Sequence, residues 1–227
     1  MLHIQVREKI NKGEIVLTPS PQQQSDTQHK KNNHSQQTSN NTPSSNHNTV
    51  PVPVTILGDS NLKFFDPSKM MKSCHFEVIE AKSTQALNRR VQETRIKGKV
   101  VVVHTGTNNL YNNGPVNTAQ NIITSVDELI TKKHKVVISK LLPREGDLLT
   151  AVNTTNEILA QHYRYNRNVK ITNNDKFYYY DQPNDHLYTR EQSGSRKLPL
   201  LHVNRSGLIE LSRQIQWCTR QLLSQKP

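Results

Sequence analysis

Val52-Pro53-Val54-Thr55-Ile56-Leu57-Gly58-Asp59-Ser60-Asn61 is the stretch on which the fold turns. Six uncharged residues, four of them aliphatic, run into a Gly-Asp-Ser-Asn turn. That is the pattern of a buried strand ending where a helix can begin. Pro51 and Pro53 lack the N–H that a ladder needs, so the strand frays at its start. The same signal recurs more strongly in Lys99-Val100-Val101-Val102-Val103-His104. Four consecutive valines between charged and polar ends mark a strand buried on both faces, as in a parallel sheet. This strand also runs into a turn, Thr105-Gly106-Thr107-Asn108-Asn109.

Working outward, Phe76 to Ile79, Lys135 to Ser139 and Val169 to Thr172 are further short apolar runs. Between them lie amphipathic stretches. Residues 83–96 carry Ala86, Leu87, Val91 and Ile96 behind a Ser-Thr start, and residues 117–132 carry Ile122, Ile123, Val126, Leu129 and Ile130. Residues 148–165 and 205–223 complete the set, the last with Leu208, Leu211, Ile215 and Leu222 on one face. Strand-helix alternation with short connections predicts an α/β fold. The expectation is a three-layer α/β/α sandwich on a flavodoxin-like parallel five-stranded sheet, with sites at the carboxyl ends of the strands. Residues 173–201, with the Tyr178-Tyr179-Tyr180 run, show no periodicity that assigns them.

The first fifty residues differ in kind. Thr18 to Val50 is almost wholly Gln, Asn, Ser, Thr, Pro and His, too poor in apolar area to offset the entropy of ordering it. Residues 1–50 are therefore expected to be a mostly disordered arm and residues 51–227 the folded domain. Residues 1–17 hold scattered apolar side chains but no run of signal-peptide or membrane-anchor length. Cys74 and Cys218 form no CxxC or Cys/His metal spacing, so neither a disulfide framework nor a zinc site is expected. Free thiols without a leader point to a cytoplasmic or nuclear protein. The net charge is +12; residues 1–50 hold five of the thirty Lys and Arg and three of the eighteen Asp and Glu, which leaves +10 on the domain. A domain this basic suits a polyanion, nucleic acid first. No run of five or six basic residues and no RNP-like or helix-turn-helix signature accompanies that charge.

In a parallel sheet the segments around Ser60, Asn108 and His202 reach one edge although they are far apart in sequence. Ser60 is placed as a nucleophile whose own N–H can help hold an oxyanion, Asn108 as a neutral N–H donor, and His202 as a general base and then acid. Each residue type also has an ordinary structural use. Asp59, Ser60 and Asn204 are favoured helix N-caps, Gly-Thr-Asn-Asn is good turn chemistry, and His202 is one of ten histidines.

Taken together these segments resemble the SGNH superfamily, or GDSL-type esterases and lipases. Gly58-Asp59-Ser60-Asn61 resembles its first block, Gly106-Thr107-Asn108-Asn109 its GxND block, and His202 the histidine of its last block. Ile138-Ser139-Lys140-Leu141-Leu142-Pro143-Arg144 resembles the "PR" loop of esterase-like domains in animal retroelements. The resemblance spans roughly residues 52–223 and implies the SGNH hydrolase fold, a small ester substrate and no cofactor. It implies Ser60 and His202 as catalytic residues, with Ser60, Lys82 and Asn108 as the oxyanion hole. Two positions depart from the family pattern. The second-block stretch Glu80-Ala81-Lys82-Ser83-Thr84 has no glycine, and Pro199 stands where the acid three residues before the histidine is expected. Another acid, such as Asp181 or Asp185, is then needed to orient the histidine, or else a backbone carbonyl.

Two functions follow from this reading. One is hydrolysis of a carboxylic ester through an acyl-serine, by a Ser-His dyad if the acid is lost. The other is an SGNH-like domain without catalysis, as in Oskar-type germ-plasm proteins, for which the resemblance implies RNA or DNA as partner. The basic residues singled out for the second are Arg89, Arg90, Arg95, Lys97, Lys99, Lys132, Lys133, Lys135, Arg196 and Lys197.

Overall fold

The computed structural model describes residues 50–225 other than 94, 181, 190–191, 194–195 and 198–201. Of the expected arm, residues 1–50, all but Val50 lie outside the described residues.

Five strands form one parallel sheet: β1 (Val52–Gly58), β2 (Cys74–Glu80), β3 (Val100–His104), β4 (Lys135–Ile138) and β5 (Val169–Ile171). Their order is β2-β1-β3-β4-β5, the flavodoxin-like order expected from the alternation. Pro53 lies one residue before the β1–β3 ladder opens at Val54↔Val100, so its missing N–H interrupts no bond to β3. Four helices cover the sheet: α1 (Thr84–Glu93), α2 (Leu110–Thr131), α3 (Leu148–His162) and α4 (Arg205–Ser224).

Alternation along the strands divides the core. Val54, Ile56, Val100 and Val102 face α4, packing with Leu211, Ile215, Cys218 and Leu222. Leu57, Val101 and Val103 face the other way, onto Leu87 and Val91 of α1, Ile122, Val126 and Leu129 of α2, and Leu159 of α3. The four valines of β3 are all at most 1% exposed, which is why the strand carries no polar residue before His104. Both cysteines are buried and free, and burial pushes the Cys218 thiol up to about 11.

Two boundaries differ from the expectation. The second helix starts at Leu110 rather than near residue 117, with Gly114 (φ 67°) and Pro115 kinking it. A Gly-Pro pair reads as a loop in sequence, yet here the chain is helical on both sides of it. The segment after β5 is built of 3-10 turns and two-residue strand pairs, among them β6 (Tyr178–Tyr179) with β7 (Gln182–Pro183). Within it β8 (Tyr188–Thr189) pairs with β11 (His202–Val203), and β9 (Gln192–Ser193) with β10 (Arg196–Lys197). No helix among the described residues is long and apolar enough to cross a membrane.

Candidate active site

Gly58 is in register with Glu80 on one side and His104 on the other, so the residues after β1 leave the sheet between the loops that follow β2 and β3. This is the switch point where strand order reverses, the place where α/β sheets bind ligands. The Asp59 carboxylate accepts from the Asn61 N–H at 2.9 Å and caps the 3-10 turn Ser60–Leu62. A Cβ at Gly58 would meet Leu62 Cδ1 at 2.2 Å, which explains the motif's glycine: the turn folds back onto it. Ser60 stands half-buried at the head of that turn.

The Gly-Thr-Asn-Asn turn works as a clamp. Gly106 has φ +126°, a conformation that a Cβ penalises, and starts a 3-10 turn at Thr107–Asn109. From that turn Asn108 Nδ2 donates to the Lys82 carbonyl at 2.8 Å. Asn109 Oδ1 accepts from the Thr84 N–H at 2.8 Å, and its Nδ2 donates to Gln85 Oε1 at 2.7 Å. Two adjacent asparagines thus fasten the loop after β2 and satisfy an orphan N–H at the start of α1, where Ser83 Oγ also caps Ala86 N–H. Lys82 and Asn108 are brought together, both exposed, although Lys82 is not a glycine.

The histidine reaches the same edge from the far end of the chain. His202 pairs with Thr189 through β8–β11. Asn204 anchors the segment, donating to the His186 and Tyr188 carbonyls at 2.8 and 3.0 Å while its Oδ1 caps Gly207 N–H at 3.0 Å. β11 packs against the Ser60–Leu62 turn, and Ser60 and His202 line one cleft of about 820 Å³ with Lys63, Phe64, Lys69 and Arg205. Among the described residues no direct hydrogen bond joins Ser60 to His202. The ring nitrogen Nδ1 of His202 is buried and has no hydrogen-bond partner, so among the described residues no acid holds that nitrogen. Pro199 and Asp181 lie outside the described residues. Lys82 and Asn108 stand outside the lining of this cleft.

Beneath Ser60 runs a buried polar row that the sequence reading missed. His104 Nδ1 lies 2.8 Å from Ser139 Oγ, and its Nε2 lies 3.8 Å from Asp59 Oδ1. The three side chains have the connectivity of a catalytic triad, but Asp59, His104 and Ser139 are only 5%, 3% and 2% exposed, so no substrate reaches them. Burial holds His104 below its ordinary value, opposed by Asp59 and reinforced by the nearby Arg144. Arg144 of the Pro-Arg loop is itself buried; that desolvation lowers its pKa, opposed in part by the Asp59 carboxylate. The loop is pinned by Asn156, which exchanges two hydrogen bonds with Leu141, and by Tyr188 Oη donating to the Pro143 carbonyl.

The basic residues divide between places. Lys97, Lys99, Lys132, Lys133 and Lys135 come to the amino edge of the sheet, opposite Ser60; the Lys135 N–H donates to the Lys99 carbonyl and His134 Nδ1 lies 2.7 Å from the Gly98 carbonyl. Lys132 Nζ donates to the Val91 carbonyl at 2.6 Å and pairs with Glu128, and Lys135 Nζ donates to the Leu222 carbonyl at 2.6 Å. These two cations fasten the ends of α1 and α4, a favourable use of charge at helix C-termini. Arg89, Arg90, Arg95 and Lys133 are exposed. Arg196 and Lys197 belong to the β9–β10 pair, which is not part of the five-stranded sheet. Among the described residues no group of three or more His, Cys, Asp or Glu comes together to hold a metal ion.

No protein-family model matches the sequence, and no curated protein matches it. Solved structures do. A protein assigned to the G-D-S-L lipolytic family of Desulfitobacterium hafniense DCB-2 aligns with a TM-score of 0.59 at 15% identity, covering 74% of this chain and 99% of that one. An acylhydrolase of Bacteroides fragilis aligns at 0.56 and 16% identity, covering 77% and 92%. The OSK domain of Drosophila Oskar aligns at 0.52 and 14% identity, covering 72% and 86%. Identities this low speak to architecture alone, and with the 2-1-3-4-5 sheet and the Ser60 turn at its switch point they establish that the chain has the SGNH, or G-D-S-L, hydrolase fold.

Proposed function

We propose that this protein hydrolyses carboxylic esters through an acyl-Ser60 intermediate, using His202 as its base. The observation that carries this reading is that Ser60 and His202, from opposite ends of the domain, line a single cleft at the carboxyl edge of the sheet. Ser60 Oγ attacks the ester carbonyl while its proton passes to His202 Nε2. The C–O bond of the ester breaks as His202 returns that proton to the leaving alcohol, and a water activated by the same nitrogen then releases the acid. The Ser60 N–H is assigned to the oxyanion, and the resemblance adds the Lys82 N–H and the second N–H of Asn108, which their mutual bond holds in one unit although neither residue lines the cleft.

The dyad is a weak one. For Nε2 to accept the Ser60 proton the ring must already carry its hydrogen on Nδ1, and that N–H is buried without an acceptor both before and after the transfer. An unsatisfied buried donor costs about 1–3 kcal/mol, or roughly one to two orders of magnitude in rate. The test is turnover of p-nitrophenyl butyrate by the purified full chain beside its Ser60→Ala and His202→Ala variants. Slow release of p-nitrophenol that disappears in both variants supports the reading; a rate equal to that of Ser60→Ala rejects it.

A second reading is a non-catalytic domain that binds RNA or DNA. It is favoured by the gathering of Lys97, Lys99 and Lys133 on one edge and by the +10 charge of the domain. The measurement is fluorescence anisotropy of a labelled single-stranded RNA across 50–200 mM salt, where each phosphate contact is expected to contribute about −0.7 to the slope of log K. Binding that weakens with salt and in Lys133→Glu supports it, and salt-independent or absent binding rejects it.

A further inference from the structure

The charge lining the Ser60 cleft has one sign. Lys63, Lys69 and Arg205 line it, together with the apolar Phe64, Val203 and Leu208, and no Asp or Glu does so among the described residues. A second hollow of about 340 Å³ shares Phe64, Lys69, Arg205 and Leu208 with the cleft and extends it along α4 to Arg213 and Gln216. Among the described residues Asp66 is the one acid lining the hollow, and both it and the nearby Glu210 are engaged. Asp66 accepts from the Ser68 N–H and Oγ and pairs with Lys69 at 3.0 Å, and Glu210, outside the hollow, lies 3.7 Å from Arg213. Of the four cations that line the cleft and the hollow, Lys69 and Arg213 are thus paired, which leaves Lys63, whose ammonium lies 5.5 Å from the Phe64 ring centre, and Arg205.

Arg205 is placed against local preference. It is the first residue of α4, where the helix dipole is positive, and the first turn of that helix holds no acid to offset it. A cation at that position is unfavourable on its own and becomes favourable when an anion sits beside it. Residues that break a local rule without an internal compensation mark functional positions. Like charges around a concave surface also focus the field and raise the local concentration of an anion.

We infer that the cleft takes esters that carry an anionic group, carboxylate or phosphate, held by Lys63 and Arg205 while the ester carbonyl faces Ser60. This rests on the hydrolase reading for the position of the carbonyl. Phe64, Val203 and Leu208 then cover the apolar part of the substrate. The two cations set orientation, which is how a remote contact contributes to rate.

The test compares mono-p-nitrophenyl succinate with neutral p-nitrophenyl butyrate in the full chain. The expected ratio of kcat/KM, anionic over neutral, is about tenfold, in the range that one or two partly exposed ion pairs supply. In Lys63→Gln and Arg205→Gln the ratio falls toward one; in Lys72→Gln, a cation outside the cleft, it does not change. Competition then separates the two anions: inhibition by succinate with inorganic phosphate inert assigns the carboxylate, and the reverse assigns the phosphate. A ratio near one that the two cleft variants leave unmoved overturns the inference while leaving the hydrolase reading intact. If no ester is turned over, calorimetry with monoethyl succinate decides. Binding that is lost in Arg205→Gln sustains the anion site and rejects the hydrolase, and no binding rejects both.

Discussion

A serine hydroxyl is a poor nucleophile until a base within reach removes its proton, and that base works best when its far nitrogen is held. Here the holding group is missing: His202 Nδ1 is buried without an acceptor, and the sequence offers Pro199 where the family pattern offers an acid. Restoring an acid should restore rate. The Pro199→Asp variant is expected to hydrolyse p-nitrophenyl butyrate about 10–100-fold faster than the native chain, a part of the roughly 10⁴-fold that such an acid is worth where it is well placed. An unchanged rate would place the limit elsewhere than in the orientation of His202. At this scale the sequence marked Ser60, Asn108 and His202 as candidates, because each sits in a short motif at the end of an apolar run. It hid Lys63 and Arg205, since a cation beside a motif looks like any solvated surface charge. It hid His104 as well, which reads as the polar end of a valine strand yet is 3% exposed.

Among the elements, the Gly106–Asn109 turn carries the most structural responsibility for its size. It positions Asn108, caps α1 through Asn109, and starts α2. Gly106→Ala puts a Cβ at φ +126° and within 2.9 Å of Ile122 Cδ1. The expected cost is about 1–3 kcal/mol. Asn109→Ala removes the acceptor of Thr84 N–H, at about 1 kcal/mol. Thermal denaturation should therefore show Gly106→Ala melting lower than Asn109→Ala and both below native, at about 2–4 °C per kcal/mol for a domain of this size. Equal melting of Gly106→Ala and the native chain would contradict the strain argument. The central strands β1, β3 and β4 were legible because burial on both faces leaves a run rich in β-branched residues. Residues 173–201 were not, because side-chain bonds to distant residues shape much of that segment. Tyr178 Oη donates to Asn153 Oδ1 at 2.6 Å and Tyr188 Oη to the Pro143 carbonyl at 3.1 Å, and neither leaves a period in the sequence.

For the whole molecule, the buried row beneath the site makes stability depend on pH. Burial lowers the folded pKa of His104 below its ordinary 6.5, so the unfolded chain binds a proton there that the folded chain refuses. That contribution is fully present above about pH 6.5 and is lost as pH falls toward the lower folded value. The melting temperature should drop between pH 7.5 and 5.5, and His104→Gln should flatten that drop; a native curve that rises on acidification would carry the wrong sign. The same row holds a rival to the proposed nucleophile, because Ser139 has a histidine at hydrogen-bond distance and Ser60 does not. Accessibility decides between them: Ser60 opens onto the cleft and Ser139 is 2% exposed. The most direct measurement is therefore the site of covalent labelling by a fluorophosphonate, read by peptide mass spectrometry on the full chain. The expected result is one adduct, on the peptide containing Ser60, absent in Ser60→Ala and slowed in His202→Ala. No adduct, or an adduct on Ser139, would contradict the assignment of Ser60 as the nucleophile.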